Sequence, residues 1–456
     1  MDLPIPVDLN WKNTMKHNRR RRAVWNPLRR RLALLGGTTT FADIVHAAGL
    51  IFNPYRLLRG PAIRRYEAAF ARRIGVRYAC SFSAGRVGFY ALLRGLDVGS
   101  GDEVLLQVPT HIVVPNAIRY TGAQPVYVDC RLQDYNMDLD LAEQKISSRT
   151  KVLVLQHTFG IPAELDKALA IARDHGITVI EDCVHALGSH YKGRPVGSFG
   201  QAAFFSTEET KTITSTMGGM VVTDDRELAH RIEAFQASCA WPSAWLTVRY
   251  LLKLILYHVL TEPHLHVYTR ALYELLGRRQ PIPGATSAEE QRGARPLGYT
   301  KRLANAQAAV ALRQLIRLDS NIADRRWAAA AYAKQLAPYG FRLPQTMEGA
   351  EPAYVRYPVC VEDRAAAQQL IAPHAVVGLW FTSVLEEAVN PVLAGYTARS
   401  CPIAERVSKE LINLPTHSHV TQKDIEHIAR ALAELVPEAV GSRHIERAQS
   451  PRAAPA

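Results

Sequence analysis

From about residue 40 to 240, short apolar runs of strand length alternate with helical stretches, and this alternation constrains the fold more than any other feature. The runs are Asp102 to Val108, Gln124 to Asp129, Lys151 to Leu155, Thr178 to Glu181 and Ala202 to Phe205. Helical patterns such as Ala163 to His175 lie between them. Strands that alternate with helices form βαβ units, so the expected architecture is α/β, a mainly parallel sheet covered by helices on both faces. In such sheets ligands bind beyond the carboxyl ends of the strands, which is where Glu181-Asp182 falls.

The chain has 456 residues, 48% of them hydrophobic, enough for a large core and two domains. The pattern divides it into a basic arm (1–35), a large domain (36–240), an apolar and basic insertion with a linker (241–297), a smaller C-terminal α+β domain (298–440) and a tail expected to be disordered (441–456). The smaller domain carries the short apolar run Tyr357 to Val361. The net charge is +13, concentrated in the arm at Arg19-Arg20-Arg21-Arg22 and Arg29-Arg30-Arg31. A solvated arm and an arm drawn to anionic lipid both fit these clusters. Nucleic acid is not expected, because no zinc-finger spacing or RNA-recognition signature accompanies them. Six scattered cysteines without a CxxC pair argue against a metal site or a disulfide framework. No apolar run has transmembrane length and the N-terminus lacks an apolar signal core, so the expected location is cytoplasmic, with peripheral contact at the inner face of a membrane as an extension.

That extension rests on Trp245 to Leu260, an unusually apolar stretch with Arg249 and Lys253 four residues apart. On a helix the two share a face. A core or subunit-interface helix and a membrane-surface helix with both cations at the headgroups remain open readings. A membrane span is not expected, given the two charges.

The candidate chemistry starts from two residues. Lys211 follows the apolar run Ala202 to Phe205 and the polar segment Thr207 to Thr210, which should be a loop. Asp182 ends the Thr178 strand. A loop lysine that forms a Schiff base, and a strand-end carboxylate that pairs with a pyridinium nitrogen, are the groups a pyridoxal 5'-phosphate (PLP) enzyme needs. Upstream, Ser83-Ala84-Gly85-Arg86 opens the helical run Phe89 to Leu93, and small residues at a helix start can cradle a phosphate. His157, at a strand end, reads as a structural histidine.

These residues, in this order, resemble the DegT/StrS-type sugar aminotransferases, which are fold-type I PLP enzymes. The likeness covers roughly residues 60–240 and 298–435. It includes Val98 to Val104, Pro125 to Asp129, Tyr135 to Asp138, Glu181 to Gly188, Tyr191 to Ser198, Gly218 to Thr223, Pro402 to Arg406 and Leu414-Pro415. The resemblance implies that Lys211 is the Schiff-base lysine and proton shuttle, that Asp182 is the pyridinium partner, and that Ser206, Gly85 and the Arg86 amide hold the phosphate. It further implies an obligate homodimer whose active sites draw on both subunits.

The chain departs from the family's pattern in four places. Ala84-Gly85-Arg86 replaces Ser-Gly-Thr, and Arg86 could supply a charge-assisted phosphate contact. His111 stands where an aromatic ring stacks on the cofactor. His185 stands where a glutamine bonds its 3-hydroxyl, and Thr300 where an asparagine reaches the neighbouring subunit's phosphate. The expected function is transfer of an amino group from an amino acid, glutamate first, to a keto-sugar or related carbonyl acceptor of cell-envelope or natural-product biosynthesis, with a lipid-linked acceptor as one form. Some relatives replace the lysine with histidine and become dehydratases, so retention of Lys211 favours transamination. PLP-dependent sugar dehydration or deoxygenation, and a non-catalytic PLP-binding regulatory protein, are the alternatives.

Overall fold

The structure, a computed structural model, describes residues 30–275 and 286–436, with side chains left undescribed over 270–275. Most of the arm, part of the linker and the tail therefore lie outside the described residues. A seven-stranded sheet runs in the order Tyr78–Phe82, Gly219–Thr223, Ala202–Ser206, Thr178–Asp182, Thr150–Gln156, Glu103–Gln107, Gln124–Val128. All strands are parallel except Gly219–Thr223, which is antiparallel to both neighbours. Five of these strands are the apolar runs seen in the sequence. They are Val-, Leu- and Ile-rich because they are buried on both faces, and an apolar layer packs against each side.

The reversed strand matters for function. It brings Gly219 to the same edge as the carboxyl ends of its neighbours, in register with Phe82 on one side and Ser206 on the other. The Ala84 turn, Ser206 and the loop that follows it thus converge at one point on the sheet edge.

The C-terminal part is built on the antiparallel pair Tyr357–Cys360 and Leu411–Leu414, packed by the helices Leu318–Leu336, Arg364–Ile371 and Gln422–Ala433 around a core of its own. It also returns to the large domain beyond the carboxyl end of Glu103–Gln107, where Leu385–Glu386 pairs in parallel with Thr110–His111 in a separate two-stranded sheet. This mixed α/β arrangement with a smaller α+β part is the expected fold class.

The apolar stretch forms the helix Ala244–Leu260, capped by the Ser243 hydroxyl, which accepts from the Leu246 N–H. It lies against the helix Phe41–Ile51, and both rest on Asn305–Ile316. The pairing of Arg249 and Lys253 at lipid headgroups needs correction. Arg249 is exposed, but Lys253 turns inward and makes a 2.5 Å ion pair with Glu209. Residues four apart differ by about 40° around a helix, enough to put one in solvent and the other against the protein. Among the described residues no helix is long and apolar enough to cross a membrane.

Candidate functional site

A cleft opens at the carboxyl edge of the sheet, lined from the large domain by Gly85, Arg86, His111, Asp182, His185, Ser206 and Lys211, and from the C-terminal part by Arg356, Trp380 and Glu387. Of the sequence-derived candidates, only Thr300 lies outside this lining. It sits beside Cys239, with which it shares a hydrogen bond.

Asp182 is held at its strand end by accepting from the Val184 N–H at 3.1 Å. It is buried, and desolvation pushes its carboxyl up to about 6, against the lowering pull of that N–H and of Lys211. The adjacent Glu181 points to the other face and is structural. Its oxygens meet His157 Nε2 at 3.1 Å and accept from the N–H groups of Gly197, Phe199 and Gly200 at 2.7 to 2.8 Å. His157 Nδ1 accepts from the Ala163 N–H, so this histidine ties two loops together and does not line the cleft.

Lys211 belongs to a loop that is pinned along its length. The Thr207 and Ser215 hydroxyls share a 2.8 Å bond, and the Thr207 N–H donates to Gly218 O. Gln314 both donates to and accepts from the Thr214 backbone, and Asn321 donates to Thr212 O. The Lys211 ammonium lies 4.4 Å from the Trp380 ring centroid. Loss of water lowers its pKa to about 8, with Arg356 adding to the effect and Glu208 and Asp182 opposing it.

At the other end of the cleft, the helix Gly85–Gly95 begins with its first-turn N–H groups uncapped by any side chain of Ala84. The backbones crowd here. A Cβ on Gly219 would lie 2.4 Å from the Ala84 carbonyl, and one on Gly85 would lie 3.1 Å from Phe205 O. Ser206 is the hydroxyl at this corner. The Arg86 guanidinium is turned away from it, 2.7 Å from the buried Glu290 carboxylate, so a charge-assisted phosphate contact from that side chain is not what the structure contains.

Four residues that local sequence reasoning missed, Trp380, Arg356, Glu209 and Glu387, add to the cleft. Trp380 stacks on the His185 ring at 4.8 Å and carries the Arg356 guanidinium 3.6 Å from its centroid on the ring. Arg356 is buried, its Nε has no hydrogen-bond partner, and desolvation lowers it to about 10. Glu209, also in the lining, is pushed up to about 7 by burial and by Glu208, although Lys253 opposes this. His111, half-exposed, faces Glu387 at 3.5 Å.

The donor set suits PLP. The uncapped helix start at Gly85, beside Ser206, presents the kind of N–H and hydroxyl donors a phosphate needs. A lysine with a lowered pKa and a buried aspartate share one cleft. The His185 Nδ1 is buried without a partner, and burial with the neighbouring cations keeps this imidazole neutral, able to bond a ring hydroxyl. Fold and cleft together define a fold-type I PLP-dependent transferase.

Comparison with known proteins narrows the class. The model of the DegT/DnrJ/EryC1/StrS aminotransferase family matches residues 18–250 and 259–433, and the chain belongs to that family. It is similar to GDP-perosamine synthase of Caulobacter vibrioides, 28% identical over 382 residues, covering 83% of this chain and 91% of that protein. It is also similar to L-glutamine:scyllo-inosose aminotransferase of Streptomyces griseus, 32% identical over 67% of this chain and 63% of that protein. Among solved structures, S. venezuelae DesV superimposes with a TM-score of 0.69 at 27% identity, over 87% of this chain and 95% of DesV. The protein is accordingly a PLP-dependent aminotransferase that takes an amino donor and a sugar-type acceptor.

Proposed function

We propose that this aminotransferase moves the amino group of an amino acid of the glutamate class onto a keto-sugar used in cell-envelope or natural-product biosynthesis. We assign the residue roles as follows. Asp182 pairs with the cofactor's ring nitrogen, the Gly85 and Arg86 amides with Ser206 take its phosphate, His185 bonds its 3-hydroxyl, and His111 covers one ring face. PLP, when bound, supplies the electron sink that makes the donor's Cα–H acidic. Lys211 Nζ would take and return the proton at that carbon, a role its lowered pKa suits because the amine can both take and release a proton near neutral pH.

Arg356 supports the donor half of the reading. It is a buried guanidinium with an unpartnered Nε on the cleft wall, fit for the donor's α-carboxylate. Glu208 and Glu387 supply carboxylate oxygens elsewhere on the cleft wall, suited to sugar hydroxyl donors. The likeness to enzymes named for perosamine and scyllo-inosose chemistry supports the acceptor half.

One observation carries the proposal: Lys211 and Asp182 share a cleft in which desolvation brings the pKa of the amine and that of the carboxyl toward each other. The test is spectroscopic. Protein loaded with PLP should show a visible band that glutamate bleaches as 2-oxoglutarate is released. Lys211→Ala should abolish the band, and Arg356→Met should keep it while raising the glutamate needed for bleaching by about tenfold or more. A band that glutamate leaves untouched while a keto-sugar is dehydrated would replace transamination with the dehydratase reading. A band unaffected by either substrate would leave a regulatory PLP-binding protein.

A further inference from the structure

The outer faces of the helices Phe41–Ile51 and Ala244–Leu260 carry side chains that neither the fold nor the site uses. On the second helix, Trp245, Leu252, Leu256 and Val259 are exposed, Trp245 to 68%. With Arg249 they fall within an arc of roughly 80° at 100° per residue. On the first helix Phe41 and Val45 are exposed, and Phe52, at its end, is 85% exposed on the same side. Both helices bury their opposite sides, Ala47 and Leu50 on one and Leu251 and Leu254 on the other, in a core shared with Ala306 and Val310 of the helix beneath. The two exposed stripes therefore face outward together. A 3.0 Å contact between Thr39 Oγ1 and His258 Nδ1 places the start of one helix at the end of the other, so they lie antiparallel and the stripes form one apolar surface. Exposed apolar surface of this breadth marks a contact site.

Charge selects the partner. The Ala244–Leu260 helix contains no acidic residue. The one acid of Phe41–Ile51, Asp43, is buried against Arg313 and Arg317. Arg249 lies within the stripe, and Arg56 is exposed just past the first helix. Arg31 lies at the opposite end of the helix pair, where its N–H donates to Pro263 O, a few residues beyond Val259. A second copy of this face would bring positive charge onto positive charge with no exposed carboxylate from either helix to pair it. A bilayer with anionic headgroups matches both the apolar stripe and its basic margin, and aromatic rings such as Trp245 and Phe52 suit the headgroup boundary. The family match stops at residue 250 and resumes at 259, so part of this stripe lies outside what the shared enzyme frame requires.

We propose that the face formed by Phe41–Ile51 and Ala244–Leu260 docks the protein in-plane on an anionic lipid surface. The inner side of the same helix, through Lys253 and Tyr257, packs beside Glu208 and Glu209 of the candidate site. Docking therefore holds the cleft about one helix diameter, roughly 10 Å, from the lipid.

The test uses the full chain loaded with PLP and vesicles of phosphatidylcholine with about 30% phosphatidylglycerol. Wild type should sediment with these vesicles, should not with pure phosphatidylcholine, and should be released by about 0.5 M NaCl. Leu252→Glu with Leu256→Glu should lower the bound fraction about tenfold or more, with unchanged circular dichroism and an unchanged cofactor band. If that pair perturbs folding, Arg249→Glu alone, at an exposed position, should weaken binding to anionic vesicles several-fold. Failure of wild type to sediment, or equal sedimentation by a folded variant, would overturn the proposal. So would a fall in solution mass by light scattering in the leucine variant without lipid binding by wild type, which would assign the face to a second copy.

Discussion

At the residue scale, Lys211 owes its chemistry to a cleft that denies water to its ammonium. Desolvation is the main cause of its lowered pKa and Arg356 adds to it, so the amine is half deprotonated at about pH 8. Only the neutral amine can attack the cofactor's aldehyde. The rate at which apoprotein takes up PLP should therefore rise nearly tenfold per pH unit below about 7 and level off above about 8. A profile still climbing toward the ordinary lysine value would contradict this. Stability of the apoprotein should follow the same shift. Between about pH 8 and 10.5 the unfolded chain binds a proton that folded Lys211 has released, so this residue's contribution to stability should increase as pH rises through that window. Lys211, Asp182 and Gly85 could be singled out in the sequence because each sits in a short local pattern: a polar loop after a strand, a strand followed by its carboxylate, a small-residue helix start. Ser206 is named only by the family resemblance. Arg356 and Trp380 carry no such pattern. They reach the cleft only because the C-terminal part folds back onto the large domain through a two-residue pairing at Leu385–Glu386.

At the element scale, the strands were readable because burial on both faces forces continuous apolar runs, whereas the reversal of Gly219–Thr223 leaves no trace in its composition. Ala244–Leu260 was readable as a helix, but which side it buries was not. A four-residue spacing puts Arg249 and Lys253 near each other without saying which of them faces the protein. The answer lies in Glu209, on another element, whose half-buried carboxylate takes Lys253 as its partner. This pair ties the helix to the Lys211 loop. Lys253→Met should leave Glu209 uncompensated and cost about 1–2 kcal/mol in urea unfolding, with most of it recovered in the Lys253→Met, Glu209→Gln double variant. A single variant as stable as wild type would mean that the pair is only a surface contact. Because this pair anchors the loop that carries Lys211, the single variant should also slow turnover if Lys211 has its proposed role, while leaving it able to take up PLP.

At the scale of the whole molecule, the chain's own cleft is lined without Thr300, although its segment runs close to the cradle and the neighbouring Tyr299 hydroxyl donates to Arg86 O at 3.1 Å. If two copies share their active sites, as the family resemblance implies, Thr300 serves the partner's phosphate and not its own. That arrangement has a consequence that no monomer shares. Thr300→Asp would set a negative charge beside the partner's phosphate and should inactivate the homodimer, as Lys211→Ala does by removing the amine. In a mixed dimer, the chain that keeps Lys211 receives an intact Thr300 from the Lys211→Ala chain, and one native site reappears. Refolding the two inactive proteins together in equal amounts should form half mixed dimers with one working site in two, restoring roughly a quarter of wild-type activity per chain. A site complete within one chain would give no recovery at any mixing ratio, because each chain would carry its own defect into every dimer.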